Sequence, residues 1–134
     1  MKRGRKEFVV FGLGKFGESI AIMLGRLGCN VLAVDKSEEK VEEVSQYVTH
    51  AVQADATDID SLKTLGVSNF DVAVVAISQD MQSSIMATML VKDLGVNYII
   101  AKAQNELHKK VLERIGADRI VFPEREMGAR LARN

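Results

Sequence analysis

Near the start of the chain, Gly12-Leu13-Gly14-Lys15-Phe16-Gly17 sets three glycines at a spacing that brings main chain close to an anion. A Gly-x-Gly-x-x-Gly turn says little alone, but here it follows the apolar run Phe8-Val9-Val10-Phe11 and opens a helical pattern, as phosphate binding requires. Gly12 permits the tight turn, Gly14 lets a phosphate approach the backbone, and Gly17 lets helix and strand pack closely. The helix start then offers unpaired N–H groups and the positive end of a dipole. Asp35 closes the next apolar run, 23 positions after Gly12. A carboxylate there can accept from both hydroxyls of a ribose, and it repels a 2′-phosphate, which disfavours NADP. Together these residues point to an adenine nucleotide. The alternative is a glycine turn with a capping aspartate in a domain that binds nothing.

Other positions add to the candidate site, each with a plainer reading beside it. Gln53-Ala54-Asp55-Ala56-Thr57 closes the third apolar run. Asp55 can accept from an adenine amino group, or it can cap the helix that starts near Asp58. Lys15 can swing toward a terminal phosphate or simply be exposed. Lys102 falls at the carboxyl end of the fifth run, the edge where ligands bind in such sheets, or it is a surface lysine. Lys36, Ala76 and Ile77 complete the binding set along the same edge. Catalytic groups are harder to find. His50 starts a strand, and His108 is expected to face solvent beside Lys109 and Lys110, so both read as structural or solvated. Tyr98 and Lys102 imitate a catalytic pair that works on a helix, but a strand would separate them by roughly 13 Å. Cys29 has no ligand partner at metal spacing and no second cysteine for a disulfide, which fits a reducing compartment. No catalytic residue is assigned.

Positioning these groups takes an alternation of strands and helices. Short β-branched runs at 8–11, 31–34, 50–53, 72–77, 98–101 and 119–122 alternate with helical patterns at 15–27, 37–47, 59–65, 79–94, 106–115 and 124–133. Several runs are apolar at consecutive positions, the mark of strands covered on both faces. Gly28, Gly66, Gly95 and Gly116 follow helical patterns as terminators, Ser37 caps the second helix, and Pro123 starts the last one. Strict βα alternation predicts an α/β fold, a Rossmann-like doubly wound parallel six-stranded sheet in the order 3-2-1-4-5-6, within one domain spanning 1–134. Length suits one domain with a real core. The 18 basic and 18 acidic residues cancel, so no bulk attraction to nucleic acid or membrane is implied, and the basic run Lys2-Arg3-Gly4-Arg5-Lys6 reads as a solvated arm. No apolar run is long enough for a membrane span and the start is too charged for a secretory signal, so a cytoplasmic protein is expected. In the fourth helix, Met81, Ile85, Met86, Ala87, Met89, Leu90, Val91 and Leu94 cover more than half the circumference. A helix lying only on a sheet shows a narrower stripe, so the surplus points to self-association, with deep burial as the alternative.

Taken together, Gly-Leu-Gly-Lys-Phe-Gly, Ala33-Val34-Asp35, Ala54-Asp55-Ala56-Thr57, Lys102-Ala103-Gln104-Asn105, Gly116-Ala117-Asp118-Arg119 and Phe122-Pro123-Glu124 resemble the RCK, or TrkA-N, regulatory domain. The likeness is strongest to the cytosolic gating subunits of Ktr-type bacterial potassium uptake systems and covers nearly the whole chain. It implies a non-catalytic sensor of ATP and ADP, or AMP, with NAD(H) in some relatives. It implies homodimers that assemble toward an octameric ring beneath a membrane potassium-transporting subunit, on the inner face of the cell membrane, with no nucleic acid bound. By this resemblance Asp35 holds the ribose, Asp55 the adenine, and Lys15 and Lys102 the terminal phosphates. Glu124 then sits near those phosphates, through a divalent ion at the dimer seam where one is present. Members that prefer ATP often carry arginine where this chain has Lys15, and lysine lacks the bidentate fork. The family usually continues past the helix of Met127-Gly128-Ala129-Arg130 into a smaller C-terminal lobe, which is expected to be absent from these 134 residues. The competing reading is the cofactor half of an NAD-dependent oxidoreductase.

Overall fold

A computed structural model describes residues 5–133; most of the basic run, Lys2 to Gly4, lies outside the described residues. Strand β1 (Glu7–Phe11) leads into helix α1 (Lys15–Arg26), followed by β2 (Asn30–Asp35), α2 (Glu38–Val44), β3 (His50–Gln53) and α3 (Ile59–Thr64). After a 3₁₀ turn at Val67–Asn69 come β4 (Val72–Val75), α4 (Met81–Asp93), β5 (Tyr98–Lys102), α5 (Glu106–Ile115), β6 (Arg119–Val121) and α6 (Pro123–Arg133). The strands form one parallel sheet in the order β3-β2-β1-β4-β5-β6, as the alternation predicts. The order reverses between β1 and β4, where Val10 sits level with Ala33 on one side and Val74 on the other. That reversal opens a crevice at the carboxyl ends of β1 and β4.

Successive strand residues feed two cores because side chains alternate across the pleat. Val9, Phe11, Val34, Val75 and Ile99 pack with Leu62 of α3, Ala87 and Val91 of α4, and Leu112 of α5. Val10, Val31, Ala33 and Val74 pack on the other face with Ala21 of α1 and Val41 and Val44 of α2. The consecutive apolar runs are therefore the product of burial on both faces. Helix α6 contributes no buried residue, and Met127 and Leu131 are exposed along it. Its first turn is fastened by Lys102 to Glu124 (3.2 Å) and by Arg125 to Glu106 (2.7 Å), with the Arg125 guanidinium over the Phe122 ring.

Three element ends differ from the sequence reading by more than a residue, each for a local reason. Helix α2 stops at Val44 rather than 47, where Ser45 gives both its N–H and its hydroxyl to the Glu42 carbonyl and tightens the last turn. Strand β4 stops at Val75 rather than 77; Ala76 N–H still reaches the Phe11 carbonyl, but Ile77 has left the ladder. Helix α4 starts at Met81 rather than 79 because Asp80 is its N-cap and accepts from Ser83 N–H at 2.7 Å. That helix is not deeply buried. Its inward stripe is Ser84, Ala87, Thr88 and Val91, while Met86 and Met89 are 39% and 43% exposed.

Candidate functional site

The glycine turn is shaped by contacts that only glycine allows. Gly12 has φ +94°, and a Cβ there would lie 2.8 Å from the main chain of Ala76 and Ile77. A Cβ on Gly17 would run into the carbonyl oxygen of Gly12. Both positions let β1, α1 and the end of β4 meet at backbone distance, with Ala76 buried beneath them. Gly14 differs: the nearest atom to a Cβ there is Ser78 Oγ at 3.6 Å, an ordinary contact, so a side chain would fit at this position without a clash. Gly14 is also the N-cap of α1 and brings no side chain to satisfy the first-turn N–H groups. They remain available to an anion.

Asp35 at the end of β2 is 9% exposed and already bonded. Its Oδ2 accepts from Leu13 N–H at 2.7 Å and its Oδ1 from Ser37 N–H at 2.8 Å. One carboxylate thus ties the glycine turn to the β2–α2 loop, and each oxygen keeps a further lone pair for a ligand. Leu13, which supplies one of these donors, is buried, and Phe16 packs half-buried against the second core. After β3, Asp55 Oδ1 accepts from Thr57 N–H (2.9 Å) and Thr57 Oγ1 (2.6 Å). These bonds, the hydroxyl first, hold the Asp55 carboxyl below its ordinary pKa against the opposing effect of burial, with Lys36 adding attraction. Asp55 does not cap α3; the N-cap there is Asp58, whose carboxylate takes the Ser61 hydroxyl instead.

Between these loops lies a cleft of about 410 Å³, a size suited to a small organic ligand. Of the sequence-predicted residues it brings together Gly12, Asp35, Lys36, Asp55, Ala56, Thr57 and Ile77. It adds Gln79, Asp80 and Ser83, which the sequence reading missed. Their signal was the Asp80-x-x-Ser83 cap at the carboxyl end of β4, on the edge that faces the crevice. The Ser83 N–H and then the Ser83 hydroxyl hold Asp80 below its ordinary pKa. Asp35, Asp55 and Asp80 against Lys36 leave this end of the cleft acidic.

The expected phosphate-reading side chains lie outside this cleft. Lys15 is exposed, beside a separate groove of α1 lined by Glu18, Ser19, Ile22, Met23 and Arg26. Lys102 is not a surface lysine: it is 9% exposed, and its Nζ is held by Glu124 Oε2 at 3.2 Å. Glu124 is kept below its ordinary pKa first by its own main-chain N–H and then by Lys102. Among the described residues no group of three or more His, Cys, Asp or Glu side chains is gathered as metal ligands.

His108 corrects the sequence reading most sharply. It does not face solvent but is fully buried between α4 and α5. Nδ1 accepts from Gln104 N–H at 3.0 Å, and Nε2 lies 3.0 Å from Ser84 Oγ. Burial pushes its pKa below the ordinary 6.5. The clue was periodicity: His108, Val111, Leu112 and Ile115 stand at i, i+3, i+4 and i+7, one face of a helix. Leu107, one position away, is 65% exposed instead. His50 is exposed at the amino end of β3, opposite the cleft.

Comparison with known proteins agrees with this architecture. Residues 8–123 match the TrkA-N domain. Over 130 residues the chain is 51% identical to the Ktr system potassium uptake protein C of Bacillus subtilis (strain 168), covering 97% of this chain and 59% of that relative. The chain thus spans about three fifths of that protein's length. Among solved structures, the TrkA-N domain of the inner membrane protein ybaL from Escherichia coli superposes with a TM-score of 0.85 at 16% identity, over 98% of each chain. The GsuK channel bound to NAD superposes with a TM-score of 0.75 at 18% identity, over 90% of this chain and 22% of that one. The same channel bound to ADP gives 0.74 at 18% identity, over 89% and 31%. These structural likenesses concern the fold, while the match over residues 8–123 concerns ancestry: the chain belongs to the TrkA-N domain family.

Proposed function

We propose that the cleft binds an adenine nucleotide, ATP or ADP first, with AMP and NAD(H) as further ligands, and that the chain is the nucleotide-sensing part of a potassium uptake system. The observation that carries this reading is the Asp35 carboxylate, fixed by Leu13 N–H beside the open start of α1. An acceptor for ribose hydroxyls and a set of donors for phosphate are then joined by one hydrogen bond. Asp55 offers Oδ2 to the adenine amino group, since its Oδ1 is occupied by Thr57. A relative named as a Ktr potassium uptake protein and a channel solved with NAD and with ADP support the assignment.

In this reading the protein works at the inner face of the cell membrane, bound to a membrane potassium-transporting subunit. No helix among the described residues is long and apolar enough to cross a membrane. Homodimers form, and assemble toward an octameric ring, through apolar surface such as Met86 and Met89 of α4. Gating follows if one nucleotide favours one dimer geometry, because a ligand of equal affinity for two states shifts neither. In this reading the role is sensing rather than catalysis; neither histidine lines the cleft.

The test is a calorimetric titration of ATP, ADP, AMP, NAD and NADH, with small-angle scattering of each complex. The reading expects saturable binding of ATP and ADP, and a different particle shape for each. Clear preference for NADH, turnover of a hydride acceptor and an unchanged shape would establish the oxidoreductase alternative instead.

A further inference from the structure

One wall of the cleft, from Ile77 through Gln79 and Asp80 to Ser83, is fastened from behind by the segment that follows β5. Gln104 Nε2 donates to the Ser78 carbonyl at 2.7 Å. Asn105 caps α5 by accepting from His108 N–H at 2.8 Å, and its Nδ2 reaches Met81 Sδ at 3.5 Å. His108 then holds Gln104 N–H through Nδ1 and Ser84 Oγ through Nε2, closing a ring of bonds between the start of α4 and the start of α5. Because Nδ1 accepts, the ring is neutral with its proton on Nε2. None of these bonds belongs to a helix or strand ladder.

We infer that Gln104 and His108 are positioning residues for the cleft, and that neutral His108 is required to hold the Ser78–Ser83 wall in its binding geometry. This rests on the nucleotide reading of the cleft. The physical basis is the donor count. A proton on Nδ1 would set two N–H groups against each other where one donor and one acceptor now meet at 3.0 Å. Gln104 would then be displaced, and with it the side chain that holds Ser78. Among the described residues the ring has no charged partner: Asp80 at the N-cap of α4, Lys92 and Asp93 of α4, Lys102 of β5, and Glu106, Lys109 and Lys110 of α5 make no hydrogen bond or ion pair with it. The same segment begins at Lys102, whose ion pair with Glu124 fastens α6, so the brace also connects the cleft to that exposed helix.

The variants separate the two ring nitrogens. His108→Asn keeps an acceptor near the position of Nδ1; His108→Gln places a donor near Nε2 and loses that acceptor. Gln104 is exposed, so Gln104→Ala should melt with wild type. Gln104→Ala and His108→Gln should each weaken ADP binding by about two- to tenfold, with His108→Asn close to wild type. The pH profile has a definite sign. Burial lowers the histidine pKa in the folded state, so the neutral form and its bonds persist above 6.5 and are lost as pH falls through the lower folded value. Wild-type affinity for ADP should therefore fall in that range relative to His108→Asn, the titration of the ADP phosphate itself being common to both. Hydrogen exchange without nucleotide supplies a readout independent of ligand identity. Amides of Gln79 to Ser84 should exchange several-fold faster in Gln104→Ala. If wild type binds no adenine nucleotide, the reading of the cleft fails while exchange still tests the brace. Unchanged exchange in Gln104→Ala, or the same pH profile in wild type and His108→Asn, would overturn the inference.

Discussion

Asp35 and Asp55 enter the cleft with their carboxylates already held by main-chain N–H groups, whereas the lysines expected to read phosphates are held elsewhere or not at all. At the acidic end, each acceptor is set by two bonds from neighbouring residues before any ligand arrives. Outside the cleft, Lys15 lies exposed on α1 and Lys102 is engaged with Glu124. Groups fixed in advance suit parts common to all adenine nucleotides, since no ordering cost is then incurred on binding. Groups that must move suit the part that differs between ATP, ADP and AMP. A sensor of phosphate number needs both: a rigid grip on the adenosine moiety and side chains that change partner as phosphates are added or lost.

The largest effect should come from the turn itself. Gly17→Ala forces a Cβ into the Gly12 carbonyl oxygen, a backbone atom that cannot rotate away. We expect a loss of at least about 3 kcal/mol, measured by chemical denaturation, together with loss of binding. Gly14→Ala sharpens the contrast, because its Cβ has space. That variant should melt with wild type yet bind ADP more weakly, since the methyl group occupies the anion's approach. If both variants only destabilise, the turn is a packing device and phosphates lie elsewhere.

Asp35→Ala comes next. It removes the acceptor proposed for ribose and also the partner of Leu13 and Ser37 N–H, so a double consequence is expected. Nucleotide affinity should drop at least about tenfold, and stability by about 1.5–3 kcal/mol, because a buried charge-assisted acceptor is lost. Adenosine should suffer as much as ATP if the carboxylate reads ribose. An ATP-only loss by calorimetry would reassign it to the phosphates.

This rigid end was also the more legible one in the sequence. Gly12 and Asp55 serve local geometry, and local geometry leaves marks: a positive φ that demands glycine, or an aspartate two residues before a threonine it can bond. Asp35, whose Leu13 partner is 22 positions away, was legible instead from its place at the end of the strand that follows the glycine turn. The sheet was legible for a related reason, since Val31, Leu32, Ala33 and Val34 are apolar in succession only because both faces are covered. What stayed hidden depends on distant partners. The family resemblance put Lys102 and Glu124 in one neighbourhood but not in an ion pair across 22 positions, and nothing around His108 announces Ser84, 24 positions earlier. Treating His108 as solvated followed its lysine neighbours rather than the helical face it shares with Leu112.

Glu124→Gln probes the movable end. Glu124 is 79% exposed, so the substitution should cost little stability. It frees Lys102 from its countercharge, and ADP affinity should rise relative to AMP by about two- to fivefold. Equal changes for both nucleotides would show that Lys102 keeps its position whatever its partner.

The smallest expected effect belongs to Lys15→Ala. The side chain is exposed and makes no hydrogen bond or ion pair with the described residues, so the melting temperature should stay the same. Its charge acts through water, which limits an exposed pair to about 0.2–1 kcal/mol, or roughly two- to fivefold in affinity. That small change should nevertheless be selective. ATP should lose affinity and AMP should not, because in the proposed binding mode only the longer phosphate chain would extend along the turn past Gly14. Salt provides an internal control: at 1 M ionic strength the Debye length shrinks to about 3 Å, and wild type should then bind ATP no better than the variant does. Scattering of the ATP and ADP complexes should likewise differ less in Lys15→Ala than in wild type, since the variant has lost one means of telling them apart. An equal loss for ATP and AMP would place Lys15 on the shared part of the ligand and leave phosphate counting to Lys102 and the start of α1.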